Sequence, residues 1–243
     1  MNETSKTLQL LTDQELRYLS GLGLDIGCGA DPVRVDVERF DVEHGDANRI
    51  SSFVTDLEGF DYVFSSHCLE HMHDARIALA EWWKLVRPGG VMIVIVPDED
   101  LYEQGYWPSL FNSDHKLSFT IAKQASWSPV SNNLADLARD LAGAELLSLR
   151  VQSNGYAQTW LVPAAWPWAL ARQAVRMRNG LVRLIPALRA PLRFLFLALR
   201  LPVDQTEGAA TAQNILVVAK QADRAKLRTP AEQAEQQRSG VAH

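Results

Sequence analysis

The residues best placed to do chemistry fall into two groups. The first is the turn Gly27-Cys28-Gly29-Ala30-Asp31-Pro32, entered from the short apolar run Leu22-Gly23-Leu24-Asp25-Ile26. A strand that empties into Asp-x-Gly-x-Gly brings backbone N–H groups to the carboxyl edge of a parallel sheet, where open α/β folds bind ligands, and glycine lets the backbone approach closely. Gly27-x-Gly29 alone is a weak sign. Pro32 stands where the dinucleotide fingerprint has its third glycine, which argues against a nicotinamide cofactor. The second group is histidine: His67 and His71, four apart after a run ending at Ser65, and His115 in a later loop between Asp114 and Lys116. Histidine takes up a proton near neutral pH, and an adjacent Asp can orient or activate it. Packing or capping is the plain alternative for His71, and ordinary loop polarity for Asp114-His115-Lys116. Asp98, Asp100, Asp114 and His115 are conceivable cation ligands, but no recognised ligand spacing is present, so no metal is expected. Tyr102, Tyr106 and Trp107 could wall a ring-shaped acceptor or simply pack under the loop.

The elements that must position these groups alternate in type. Leu8 to Leu19 has loose helical spacing ending at Gly21. Leu22–Ile26, Val33–Val37 and Phe60–Ser65 read as strands, and Asp74–Val86 as an amphipathic helix stopped by Pro88-Gly89-Gly90. Val91–Val96 is wholly apolar, as expected of a central parallel strand buried on both faces. Leu134–Leu141 reads as a helix, Glu145–Val151 and Ile215–Lys220 as the last strands. Strands alternating with helices predict a layered α/β fold. Between the last two strands the basic, apolar stretch from Trp160 to Pro202 is too long for a connecting loop and predicts a helical insertion, its two pieces separated by Pro186 and Pro191. The expected division is a core over 1–159 and 203–221, the insertion over 160–202 and a flexible tail over 222–243.

Five motifs in order resemble the class I S-adenosylmethionine-dependent methyltransferases, particularly their small-molecule "type 11" branch. They are Leu24-Asp25-Ile26-Gly27-Cys28-Gly29, Val35-Asp36, Gly45-Asp46-Ala47, the segment Phe60-Asp61 through Glu70-His71, and Leu85-Val86-Arg87-Pro88-Gly89-Gly90. The resemblance implies a Rossmann-like sheet with helices on both faces, and S-adenosylmethionine as cofactor. It implies that Gly27, Cys28 and Gly29 pass under the methionine part, and that Asp25 faces the ammonium group. Asp36 would hold the ribose hydroxyls, Asp46 the adenine amino group with Ala47 supplying an N–H, and Ser65 and Ser66 would line the methyl-donor side. Solvated loop acids are the alternative for Asp36 and Asp46. One departure stands out: the six residues between Gly29 and Asp36 leave no room for the usual crossover helix, so the ribose acid could instead be Asp41 or Glu43.

With 243 residues, 47% hydrophobic and 22% charged, the composition is that of a folded globular chain. Two cysteines, Cys28 and Cys68, suit packed free thiols in a reducing compartment, the cytosol by default. The net charge of −5 is partitioned: residues 1–145 carry −13 and residues 146–243 carry +8. No acid stands between Glu145 and Asp204, where eight arginines fall. On helices, Arg172, Arg176 and Arg183 share one side, and Arg189, Arg193 and Arg200 repeat the spacing. Such stripes suit a lid with solvated arginines, a phosphate-bearing substrate, or peripheral contact with an anionic membrane through 166–202. No nucleic-acid reader motif is present, and no export signal or membrane span is read. The expected function is O-methylation of a small or glycan-type acceptor, related to surface polysaccharide, with His67 or His115, and His71 beside them, as proton acceptors. Methylation of a quinone or lipid-like acceptor and a catalytically silent binding module are the alternatives.

Overall fold

The apolar runs become strands that pack side by side. In the computed structural model, which describes residues 3–121, 123–161, 164–208 and 210–222, they are β1 (Gly23–Ile26), β2 (Glu38–Phe40), β3 (Phe60–Ser66), β4 (Val86–Pro97), β5 (Ser118–Thr120), β6 (Ser131–Asn133), β7 (Ala144–Gln152) and β8 (Gln213–Lys220). Six form one sheet in the order β2-β1-β3-β4-β8-β7, while β5 and β6 pair separately. β1 to β4 run parallel, and β8 lies antiparallel to both β4 and β7. The carboxyl ends of β1 to β4 therefore open on one edge.

Both faces of this sheet are covered, which is why its central strands carry no polar alternation. One face packs Leu24, Ile26, Val63, Met92, Val94 and Leu216 against α3 (Ala75–Trp83) and α4 (Leu134–Asp140). α3 buries Ala75, Ala78, Leu79 and Trp82 at helical spacing, and Asp74 caps it by accepting from the Ile77 N–H at 3.0 Å. The other face packs Tyr62, Phe64, Ile93, Ile95 and Val217 against Leu11, Leu19, Val33 and Val37. There, the N-terminal segment, with α1 (Glu3–Leu8) and α2 (Asp13–Tyr18), and the chain over 27–37 stand in place of the missing crossover helix.

Four boundaries differ from the sequence reading. The helix expected over Asp74–Val86 ends at Trp83, and β4 begins at Val86 and takes in Pro88-Gly89-Gly90, which therefore lie inside a strand. The leading helix is split into α1 and α2, because the Thr12 side chain caps a new helix through a reciprocal box with Glu15. Val33–Val37 is no strand: Val33 and Val37 pack under the sheet while Val35 is exposed, and β2 begins at Glu38. Pro191 lies inside α6 (Arg189–Ala198), in its first turn, where a missing N–H costs nothing, and only Pro186 separates it from α5 (Trp168–Leu184). α5 and α6 fall between β7 and β8, as expected of the insertion. The expected tail lies, from residue 223 on, outside the described residues.

Candidate active site

Two hollows meet at the carboxyl edge of the parallel strands. The larger, about 620 Å³, is lined by Gly27, Asp41, Asp46, Ala47, Cys68 and Lys116 among others. Gly27 takes φ +75° just after β1, and a Cβ there would stand 2.6 Å from Cys68, so only glycine fits without displacing that side chain. The Gly27 N–H donates to the Phe40 carbonyl at 2.7 Å, extending the β1–β2 ladder into the turn. Gly29 has φ +53° and open space where a side chain would be.

Asp41 follows the last residue of β2, lines the hollow and accepts from the Gly29 N–H at 2.5 Å. Asp36, by contrast, lies outside β2 and outside the hollow lining, exposed and paired with Arg34 at 2.9 and 3.0 Å. The position expected of Asp36 is thus occupied by Asp41. With no helix to take up the crossover, the chain over 27–37 wraps under the sheet and the strand starts later. Asp46 caps the turn at Ala47–Ser52, accepting from Asn48 at 3.0 and 2.8 Å, and those bonds hold its carboxyl below the usual range. The Ala47 carbonyl accepts from the Trp82 indole at 2.8 Å, which anchors this wall to α3.

Four expected site residues point elsewhere. Asp25 is buried on the far face of β1, where it accepts from the Val33 N–H at 2.6 Å and fastens the 27–37 segment; burial pushes its pKa up to about 7. Ser65 is buried and donates to the Ile26 carbonyl at 3.0 Å, and Ser66 is buried beside it; neither lines either hollow. Cys28 is buried too, its thiol raised by burial to about 11, and the cysteine on the hollow is Cys68.

The second hollow, about 240 Å³, lies beside the first, and His67 and His71 line both. His67 follows β3 in the left-handed region, φ +56°, a strained conformation for a non-glycine residue, while its N–H still donates to the Ile95 carbonyl at 2.9 Å. Its ring meets Gln213 Oε1 at 2.9 Å and stands 3.3 Å from the Glu70 carboxylate. Burial opposes protonation of His67, yet the contact with Glu70 outweighs it, and its pKa ends above the ordinary histidine value. Glu70 is held below the usual carboxylate range, burial working against the neighbouring histidines and losing. His71, on a short turn over Leu69–His71, sets Nδ1 2.9 Å from Asp114, whereas His115 is buried with Nδ1 2.7 Å from Glu103. Asp114 therefore orients His71, not its sequence neighbour. Tyr102 lies over the His115 ring at 5.3 Å and lines the second hollow, while Tyr106 is buried. Asp98 caps its own turn and Asp100 binds Lys123, so neither joins His115.

Sequence reasoning missed Glu70, Glu103 and Cys68 as site residues. Glu70 lay within a quoted motif and one position from His71, a signal that was available. Glu103 offered none, because only the fold brings it to His115.

The chain was compared with known proteins. Residues 30–94 match the family model described as a methyltransferase domain. No curated protein matches. Among solved structures, the Haemonchus contortus phosphoethanolamine N-methyltransferase 2, in complex with S-adenosyl-L-methionine, is 14% identical over 86% of this chain and 52% of that one, with a TM-score of 0.47. A SAM-dependent methyltransferase from Archaeoglobus fulgidus is 13% identical over 89% and 94%, with a TM-score of 0.46. The domain match begins at Ala30, past β1 and both glycines of the turn, and runs through β2, β3, α3 and most of β4; with the sheet order it supports a methyltransferase of the class I α/β type, the class whose cofactor is S-adenosylmethionine.

Proposed function

We propose that the larger hollow holds S-adenosylmethionine and the smaller one a hydroxyl-bearing acceptor of small-molecule or glycan type, with His67 receiving the acceptor's proton. The observation that carries this reading is the position of His67, which lines both hollows at the end of β3. The larger volume is within the ~300–1,000 Å³ common for cofactor sites. Asp41, Asp46 and Asp114 on its wall outnumber Lys116, which suits a sulfonium. Bound there, the cofactor supplies an electrophilic methyl group. The chain's own residues do the rest. Gly27 and Gly29 let the backbone lie against the methionine part, Asp41 accepts from the ribose hydroxyls, and Asp46 and Ala47 face the adenine.

In-line methyl displacement needs alignment above all, and removal of a proton when the acceptor is a hydroxyl. Glu70, buried beside His67 Nδ1, stabilises the imidazolium; Nε2, which meets Gln213 Oε1 at 2.9 Å, has to leave that acceptor before it can take the proton from the hydroxyl. His67→Gln is expected to lower methyl transfer about 10²–10⁴-fold in a radioactive assay over pools of sugars, nucleotide sugars and lipid-linked saccharides. Cofactor affinity by calorimetry should change little. An undiminished rate in the variant would remove His67 from the mechanism, and no binding of cofactor by the wild type at millimolar concentration would leave a silent scaffold.

A specific observation favours contact with lipid as part of the same reading. α5 and α6 expose Leu170, Met177, Leu184, Phe194 and Leu195 together with Arg172, Arg176, Arg183 and Arg189. Apolar side chains among arginines, on helices too short and too charged to cross a bilayer, suit a surface of anionic lipid. A quinone or lipid-like acceptor would reach the enzyme from the same surface.

A further inference from the structure

At the inner end of the smaller hollow, Glu70, His71 and His115 each offer one ligand atom, and these atoms all lie within 4.8 Å of one another. Glu70 is 1% exposed, and neither of its carboxylate oxygens accepts a hydrogen bond among the described residues. A buried carboxylate left so costs several kcal/mol unless a cation stands against it. His67 is one such neighbour, 3.3 Å from Oε1, but it engages one oxygen only.

The two imidazoles are also prepared in a particular way. His115 Nδ1 meets Glu103 at 2.7 Å and His71 Nδ1 meets Asp114 at 2.9 Å. A carboxylate on Nδ1 keeps the proton there and turns the Nε2 lone pair outward, the second-sphere arrangement that orients metal-binding histidines. His115 Nε2 then lies 3.9 Å from Glu70 Oε1. Metal–ligand bonds of about 2.0–2.2 Å place neighbouring ligand atoms roughly 3–3.5 Å apart, so closing the site takes only a small inward shift.

We propose that Glu70, His71 and His115 form a binding site for a first-row divalent cation of zinc type, with its remaining coordination position open to the smaller hollow. Two imidazoles and one carboxylate favour zinc-like ions over magnesium or calcium, and three protein ligands leave a position for water or a substrate oxygen. The expectation of no metal rested on spacing along the chain; here the ligands converge from the turn after β3 and from a loop 44 residues further on. Glu70 Oε1 faces both His67 at 3.3 Å and His115 at 3.9 Å, so a bound cation would share that oxygen with His67 or take Oε2 after a rotation of the carboxylate. That the open position receives the acceptor hydroxyl rests on the methyltransferase reading; the cation site itself does not.

The test is a zinc titration of untagged, chelator-treated full-length protein by calorimetry, without cofactor or acceptor, with cobalt as spectroscopic probe. The expected result is one equivalent bound, visible d–d absorption from cobalt, and no comparable binding of magnesium. Glu70→Gln and His115→Gln should weaken zinc binding at least about 100-fold, and Asp114→Asn about 10-fold. Circular dichroism will show whether the two buried variants fold; should either fail, the partly exposed His71→Ala and Asp114→Asn decide. Absence of saturable binding, or folded variants that bind as the wild type does, overturns the site. Binding with normal affinity in a chain that transfers no methyl group would leave the site standing and remove the methyltransferase reading alone.

Discussion

Asp41 and Asp36 show how much one side chain's address decides. Both are acids within five positions of each other, yet one accepts from the glycine turn at the rim of the hollow and the other pairs with Arg34 in solvent. A carboxylate accepting from ribose hydroxyls contributes a charge-assisted bond, about 1.5–3 kcal/mol when lost. Asp41→Asn should therefore weaken S-adenosylmethionine binding about 10–100-fold by calorimetry, while Asp36→Asn leaves it within error. The reverse result would return the ribose role to Asp36 and mean that the 27–37 segment rearranges around the cofactor. The histidines teach the same lesson. Asp114 was visible beside His115, but its carboxylate serves His71, and the group that holds His115 comes from residue 103.

At the scale of elements, the shortened crossover is the feature that sets this site apart. Where a helix would lie, the chain over 27–37 is held by Val33 and Val37 under the sheet and by Asp25, whose carboxylate accepts from the Val33 N–H. Burial raises the Asp25 pKa from 3.8 to about 7, the Val33 bond offsetting only part of that. The folded state thus holds this proton more tightly than the unfolded state does. Its contribution favours folding below about pH 4 and is lost as pH rises towards and through 7. Asp25→Asn keeps an acceptor for Val33 and never ionises. It should stabilise the protein at pH 8, on the order of 2–4 kcal/mol, and flatten the pH dependence between 4 and 8 in urea unfolding. If the variant is less stable than wild type at pH 8, Asp25 is ionised in the fold and a counter-charge holds it there. A second element-level anchor is Arg178, 3% exposed on the inner face of α5 and paired with Glu207 at 3.1 Å. It ties the insertion to the segment leading into β8, so the arginine content there is not all surface charge.

Taken whole, the molecule separates an acidic core from a basic, partly apolar helical pair. Residues 1–145 carry −13 and residues 146–243 carry +8, with seven arginines and no acid over 160–202. If α5 and α6 rest on lipid, each arginine near an anionic surface contributes about 1 kcal/mol. Replacing Arg172, Arg176 and Arg183 together with Gln should then reduce flotation on phosphatidylserine vesicles about 100-fold in apparent affinity, with little binding to zwitterionic vesicles by either protein. Equal flotation of the variant and wild type would assign these arginines to solvent.

What the sequence determined by itself is local and periodic. The apolar runs Leu24–Ile26, Phe60–Ser65 and Val91–Val96 and the glycine turn are legible because a strand's burial and a turn's φ depend on neighbouring residues. The insertion was legible as helices because it is too long for a connecting loop and its arginines repeat at helical spacing. Only the tertiary structure decided that Asp41 and not Asp36 borders the larger hollow, because the missing helix shifts where β2 begins and no propensity records that shift. It alone decided that Glu70, His71, Glu103, Asp114 and His115 converge, since residues up to 45 positions apart meet through sheet order and not through spacing.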